Sequence, residues 1–169
     1  MDVHDVLIRP AVASVPSDAN QIAATYNHYI DAGSATFDRV HWTSERVAKF
    51  IASPLPDGWY VADYDGAILG WASARQFSDR FGFRFSCETA IYLHHEAVGR
   101  KVADMLQAQI ELHCRENEIH HAVAKIIATN HRSLAFHYRH GYDLVGTQKE
   151  IGHINDEWTD LVILQKIFR

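Results

Sequence analysis

The segment Glu88-Thr89-Ala90-Ile91-Tyr92-Leu93 reads as a strand that runs through a short loop into a helix opening at Gly99-Arg100-Lys101-Val102-Ala103. The first backbone N–H groups of a helix have no internal partner and sit at the positive end of its dipole, so such a junction is a natural seat for a diphosphate. A plain strand-to-helix connection is the alternative. A second segment, Asn130 to Tyr142, has the spacing NxxSxxFHxxxGY on a short helix closed by Gly141. A histidine ordinarily titrates near neutral pH, so His137 suits protonating a leaving group or relaying a proton, or it packs as an ordinary helix residue. Tyr138 is the neighbouring candidate.

Other chemistries find less support. The twelve histidines include the pairs His94–His95 and His120–His121, but no HxxxH or HExxH spacing on a helix, so no metal is expected. Cys87 and Cys114 show no CxxC spacing and are expected as buried, reduced thiols. The formal charge of −5 is spread without a basic face, which argues against nucleic acid. Apolar runs such as Leu161 to Leu164 are far too short to cross a bilayer, and no leader segment is recognisable, so a cytoplasmic protein is expected. A length of 169 residues, 47% of them apolar, implies one domain (1–169) with one substantial core.

The elements that must position these residues follow from periodicity and punctuation. Val6 to Arg9 reads as a strand, and Ser17 as the N-cap of a helix carrying Ile22, Ala23, Tyr26 and Tyr29. A loop over Gly33 to Trp42 leads to a helix from Thr43 through Ile51, ended by the Pro54-to-Gly58 stretch. Trp59 to Tyr64, the Asp65-Gly66 turn and Ala67 to Phe77 read as a hairpin, and a further strand runs from Arg84 to Leu93. From Gly99 to Asn117 the residues Val102, Met105, Leu106, Ile110 and Cys114 mark one apolar helical face. A strand over His121 to Ala128, a helix over Asn130 to His140 and two strands within Tyr142 to Leu164, turning at Asn155-Asp156, complete the order βααβββαβαββ. That order implies an α+β fold with helices on both faces of a sheet.

The NxxSxxFHxxxGY segment resembles the closing motif of GNAT acetyltransferases. Ile8-Arg9-Pro10-Ala11, Tyr26-Asn27-His28, Ala35-Thr36-Phe37-Asp38, Gly70-Trp71-Ala72, Arg80 to Arg84, Glu88 and Trp158-Thr159-Asp160-Leu161 extend the resemblance to the phosphinothricin and methionine sulfoximine acetyltransferases across the chain. The resemblance implies a mostly antiparallel, twisted sheet of six to seven strands and acetyl-CoA as co-substrate. It also implies direct attack by a small amino-acid-like amine through a tetrahedral intermediate, and commonly a homodimer. It makes Glu88 the catalytic base, acting directly or through water from a partly desolvated cleft, with His137 or Tyr138 beside the leaving sulfur. Backbone groups of Ile91, Tyr92 and Leu93 would meet the thioester, and Gly99, Arg100, Lys101, Val102, Ala103 and Asp104 the diphosphate. Asn130 and Ser133 would lie along the pantetheine arm. Phe37, Arg80, Phe83 and Arg84 would form the acceptor pocket, with Arg80 gripping an anionic group.

The sequence departs from that family at two places. Val98 stands for a leading Arg or Gln of the diphosphate loop, and Lys101 for its central glycine, where a side chain either crowds the site or adds a charge. Ser78 stands where relatives often carry Lys or Arg, and phenylalanines flank Gly82. Two other readings therefore stand beside the first: a weakly catalytic GNAT-fold binding module with an impaired coenzyme site, and a peptide or protein N-acetyltransferase.

Overall fold

In the computed structural model, which describes residues 5–14 and 16–169, strand β1 (Leu7–Pro10) leads into helices α1 (Pro16–Ala32) and α2 (Ser44–Ile51). Strands β2 (Gly58–Tyr64), β3 (Ala67–Gln76) and β4 (Ser86–Leu93) follow. Helix α3 (Val102–Glu116), strand β5 (His121–Ile127), helix α4 (His131–Arg139) and the hairpin β6 (Asp143–Ile154) and β7 (Glu157–Ile167) complete the order predicted from periodicity.

Three boundaries move for local reasons. Helix α1 opens at Pro16, whose fixed φ and missing N–H suit a first helical position, so Ser17 lies inside the first turn instead of capping it. A 3-10 turn at Phe81–Phe83 delays β4 to Ser86. Gly99 and Lys101 both take positive φ (82° and 62°), which no α-helix accommodates, so α3 starts at Val102 and not at Gly99. Two helices are capped by side chains: Thr43 accepts from the Arg46 N–H at the start of α2, and Asn130 from that of Ser133 at the start of α4.

The sheet has seven strands in the order β1-β2-β3-β4-β5-β7-β6. Asp65 and Gly66, with φ of 51° and 84°, make the tight turn that folds β2 on β3. Every neighbouring pair is antiparallel except β4 and β5, which run parallel. That parallel pairing covers only Ser86↔His121, Cys87↔Ala122 and Glu88↔Val123, after which the two strands part. On one face, α3 buries Val102, Leu106, Ile110 and Cys114 against β2, β3 and β4. There the Cys87 and Cys114 sulfurs, both free and buried, lie 3.8 Å apart.

On the other face, α1 and α2 cover an aromatic cluster in which Tyr26 stacks on Trp42 at 3.8 Å and Trp59 on Trp71 at 5.2 Å. Such rings bury a large apolar area each and account for much of this layer's stability. Tyr26 also donates its hydroxyl to Asp38, and Asn27 pairs both backbone groups of Trp42 through its amide. The loop between α1 and α2 is thereby fixed against the sheet. Beside it, Arg9 on β1 makes a two-pronged ion pair with Asp18 on α1 and a further one with Asp63 on β2. The Arg9-Pro10 and Tyr26-Asn27 segments are thus scaffold.

Candidate active site

Where β4 and β5 separate, each strand has backbone groups and side chains facing a gap. The gap widens into a cleft of about 1140 Å³, lined by β4 from Glu88 to Leu93, by β5 from Ala124 to Ile127, and by the starts of α3 and α4. Of the predicted positions, Glu88, Ile91, Tyr92, Leu93, Gly99, Lys101, Ala103, Asp104, Asn130, Ser133 and His137 all lie on its wall. The side chain of Tyr92 turns away to stack on Trp71 and donates to the Ala35 carbonyl, while Ile91 and Leu93 pack on the opposite core. These three residues therefore offer the cleft mainly their backbone.

At the far end of the cleft, no side chain caps α3, so the N–H groups of its first turn stay free for a ligand. Val102 is fully buried and contributes only its main chain, and the Arg100 N–H is engaged by the Ala97 carbonyl in the preceding turn. The Arg100 side chain is exposed outside the lining residues. Burial opposes the charged form of Asp104, but hydrogen bonds from Arg139 at 2.6 Å and His140 at 2.8 Å hold its carboxyl below the usual range. That carboxylate binds the end of α4 to the start of α3, and an anion arriving at α3 meets it already neutralised.

Lys101 takes the left-handed conformation and lines the cleft with an exposed side chain. Its φ of 62° explains physically why glycine suits this position, since an L side chain there crowds its own carbonyl. Lys101→Gly is therefore expected to stabilise the fold by about 1 kcal/mol, read as a higher urea midpoint at unchanged slope. An unchanged or lower midpoint would show that the side chain makes compensating contacts.

His137 is 7% exposed, and burial lowers its pKa, so its imidazole is neutral at pH 7. Its Nδ1 lies 2.8 Å from the Ser133 carbonyl oxygen, which can only accept, so the proton sits on Nδ1 and Nε2 keeps a lone pair. The ring packs edge-on against Tyr142 at 5.0 Å, and the Tyr142 hydroxyl, with its pKa raised to about 12 by burial, meets Thr89 at 3.2 Å. Tyr138 is 48% exposed and outside the lining residues, so of the two candidates on α4 His137 is the one that faces the cleft.

Glu88 occupies the last paired position before the strands part. Its Oε2 accepts from the Lys125 ammonium at 2.7 Å, and the two side chains are 41% and 40% exposed. The carboxylate is thus partly removed from water and held in an ion pair that solvent still reaches. Lys125 carries no motif that marks it; its one signal in the sequence is a charge interrupting the apolar run His121 to Ile127.

The predicted acceptor residues stand elsewhere. Phe37 packs its ring on Gly152 of β6, where a Cβ would come within 2.0 Å of it. Arg80 and Phe83 are exposed on the turn before β4, and Arg84 lies over the rings of Phe81 and Phe85 at 4.1 and 4.2 Å. None of the four lines the cleft, although Phe77, 5.4 Å from Phe83, reaches to 5.9 Å from the Lys125 ammonium. Among the described residues, no three of His, Cys, Asp and Glu are grouped as metal ligands, and no helix is long and apolar enough to cross a membrane.

Comparison with known proteins agrees with this geometry. Residues 12–163 match the family model described as an acetyltransferase (GNAT) domain. The chain is 30% identical over 153 residues to a phosphinothricin N-acetyltransferase of Streptomyces coelicolor, covering 88% of each protein. It is 27% identical, again over 88% of each, to an L-methionine sulfoximine/L-methionine sulfone acetyltransferase of Salmonella typhimurium. The crystal structure of a phosphinothricin acetyltransferase from Sinorhizobium meliloti in complex with AcCoA superposes with a TM-score of 0.89 at 27% identity, covering 97% of this chain and 89% of that one.

Proposed function

The chain belongs to the GNAT family and is an acetyl-CoA-dependent acyltransferase, and from that premise we propose that it acetylates the amine of a small amino-acid-like acceptor of the phosphinothricin or methionine sulfoximine type. The observation that carries this reading is the parting of β4 and β5 immediately beyond Glu88, with an uncapped helix start at the other end of the same cleft.

In this reading, the free N–H groups of Val102, Ala103 and Asp104, together with Gly99 and the Lys101 ammonium, hold the diphosphate. Asn130 and Ser133 flank the pantetheine arm, and backbone groups of Ile91, Tyr92 and Leu93 orient the thioester and its developing oxyanion. Acetyl-CoA supplies an acyl carbon that an amine attacks directly, giving a tetrahedral intermediate. Glu88 takes the amine proton, directly or through water. His137, neutral at rest, accepts a proton at Nε2 before it donates one near the sulfur, which makes it a relay. Phe37, Arg80, Phe83 and Arg84 stand outside the lining of the cleft and have no part in this reading. The homodimer implied by the resemblance belongs to the same reading, with exposed Leu144, Val145, Ile151 and Trp158 on the outer hairpin as its apolar face.

The test is a mass-spectrometric screen for N-acetyl products over free amino acids, their analogues, simple amines and peptides, alongside calorimetry with acetyl-CoA. Acetylated free amino acids or analogues are expected, with micromolar coenzyme binding that is lost when Gly99 is made bulky. Products from peptides alone would replace this reading with the peptide one. Coenzyme binding absent at high concentration would leave a binding module.

A further inference from the structure

We propose that Lys125 is the specificity-determining cation for the acceptor: its ammonium receives the acceptor's carboxylate and, in doing so, releases Glu88 to face the amine. This rests on the reading of the cleft as the site of acetyl transfer.

The position of Lys125 is the first reason. It stands two residues beyond Val123, the partner of Glu88 in the last β4–β5 pair, on the strand that forms the opposite lip of the opening. Its backbone is pinned to Ile163 of β7, so only the side chain needs to move. An amino acid carries its carboxylate and its amine on one carbon, and the amine nitrogen therefore lies about 2.5 Å from the carboxyl carbon. With the carboxylate on the Lys125 ammonium, the amine is placed beside the Glu88 carboxylate, which now lies 2.7 Å from that ammonium.

Competing cations are accounted for. Among the residues lining the cleft, Lys101 and Arg132 stand at the starts of α3 and α4, and Arg139 is held by Asp104 at 2.6 Å. Arg75, the cross-strand partner of Glu88, lies outside the lining over the Phe50 ring at 5.1 Å, and Arg84 lies outside it over two phenylalanine rings. Lys125 is thus the lysine or arginine that the lining residues offer at the Glu88 end.

The existing pair is also easily exchanged. An ion pair with both partners about 40% exposed contributes little, because water screens it and two flexible side chains must be held. The Phe77 ring, 5.9 Å from Nζ, stays beside the ammonium in either arrangement. An acceptor without an anionic group leaves Glu88 tied to Lys125, so the exchange also discriminates between acceptors. The proton balance is simple: the amine gives one proton to the freed Glu88 carboxylate, and Lys125 keeps its own.

The experiment measures kcat/KM for a panel of L-amino acids, phosphinothricin and methionine sulfone, each beside its α-carboxamide, with wild type, Lys125→Met and Lys125→Arg. Comparing the acid-to-amide ratio between enzymes cancels the different basicity of the two amines. The ratio is expected to fall roughly tenfold in Lys125→Met, mainly through KM for the acid, and to recover in Lys125→Arg. Turnover of the amide should rise, because Glu88 is no longer tied to an ammonium in Lys125→Met, and thermal unfolding should be unchanged. A ratio that moves by less than twofold in Lys125→Met overturns the role of Lys125 while leaving acetyl transfer intact. Absence of any acetylated product from wild type overturns the transferase reading and this inference together.

Discussion

Glu88→Gln is expected to lower kcat about 100- to 1000-fold while the Kd for acetyl-CoA, measured by calorimetry, changes by less than about twofold. The amide keeps the shape of the carboxylate and still accepts a hydrogen bond from Lys125, so the lip of the cleft stays in place. What disappears is the group that takes the proton when the amine becomes an amide. The start of α3, proposed as the diphosphate seat, lies at the other end of the cleft and is untouched by the change. His137→Ala should lower kcat less, because a relay can be replaced by water more readily than a base. Equal turnover in the Glu88 variant would remove that residue from the chemistry.

Arg9→Met should cost about 3–5 kcal/mol of stability, read from urea unfolding followed by far-UV circular dichroism. Arg9 reaches Asp18 at 2.7 and 2.9 Å and Asp63 at 2.8 Å, and Asp18 is only 1% exposed. Removing the guanidinium leaves a carboxylate in the interior with one remaining donor, the Val12 N–H. The penalty comes from that uncompensated charge more than from the lost attraction, so adding Asp18→Asn to Arg9→Met should recover part of the loss. A variant as stable as wild type would show that water reaches Asp18 when Arg9 is gone.

The pH dependence of this pair has a defined sign. Hydrogen bonds from Arg9 hold the Asp18 carboxyl below its ordinary value, against burial, which pushes it up. The pairing therefore contributes fully above the unfolded value of about 3.9 and is lost as pH falls from there through the lower folded value. Wild type should lose stability steeply below about pH 4, and Arg9→Met should lose less over the same range.

Much of this molecule was legible in residue order. Apolar spacing along α3, the Asp65-Gly66 turn and the Asn155-Asp156 turn placed their elements within about three residues. The two stretches singled out for chemistry do line one cleft, through Glu88 to Leu93 and Asn130 to His137. Errors arose where a local signal had a rival: Ser17 looked like a cap but follows a proline that opens the helix, and Gly99 looked helical but belongs to the turn that Lys101 closes. Tyr138 and His137 are adjacent in the chain, and only the packing of α4 on the sheet sends one outward and the other into the cleft.

Taken alone, the order of residues determined the type and sequence of the elements, the family resemblance and the stretches that line the cleft, because periodicity, caps and turns act over a few neighbouring positions. Tertiary structure decided which charges meet. Lys125 and Glu88 are 37 positions apart, Arg139 and Asp104 are 35, and Arg9 and Asp63 are 54. A side-chain pattern says which way a residue points from its own strand or helix, but its partner depends on how that element registers against another, which is set by the burial of the whole sheet.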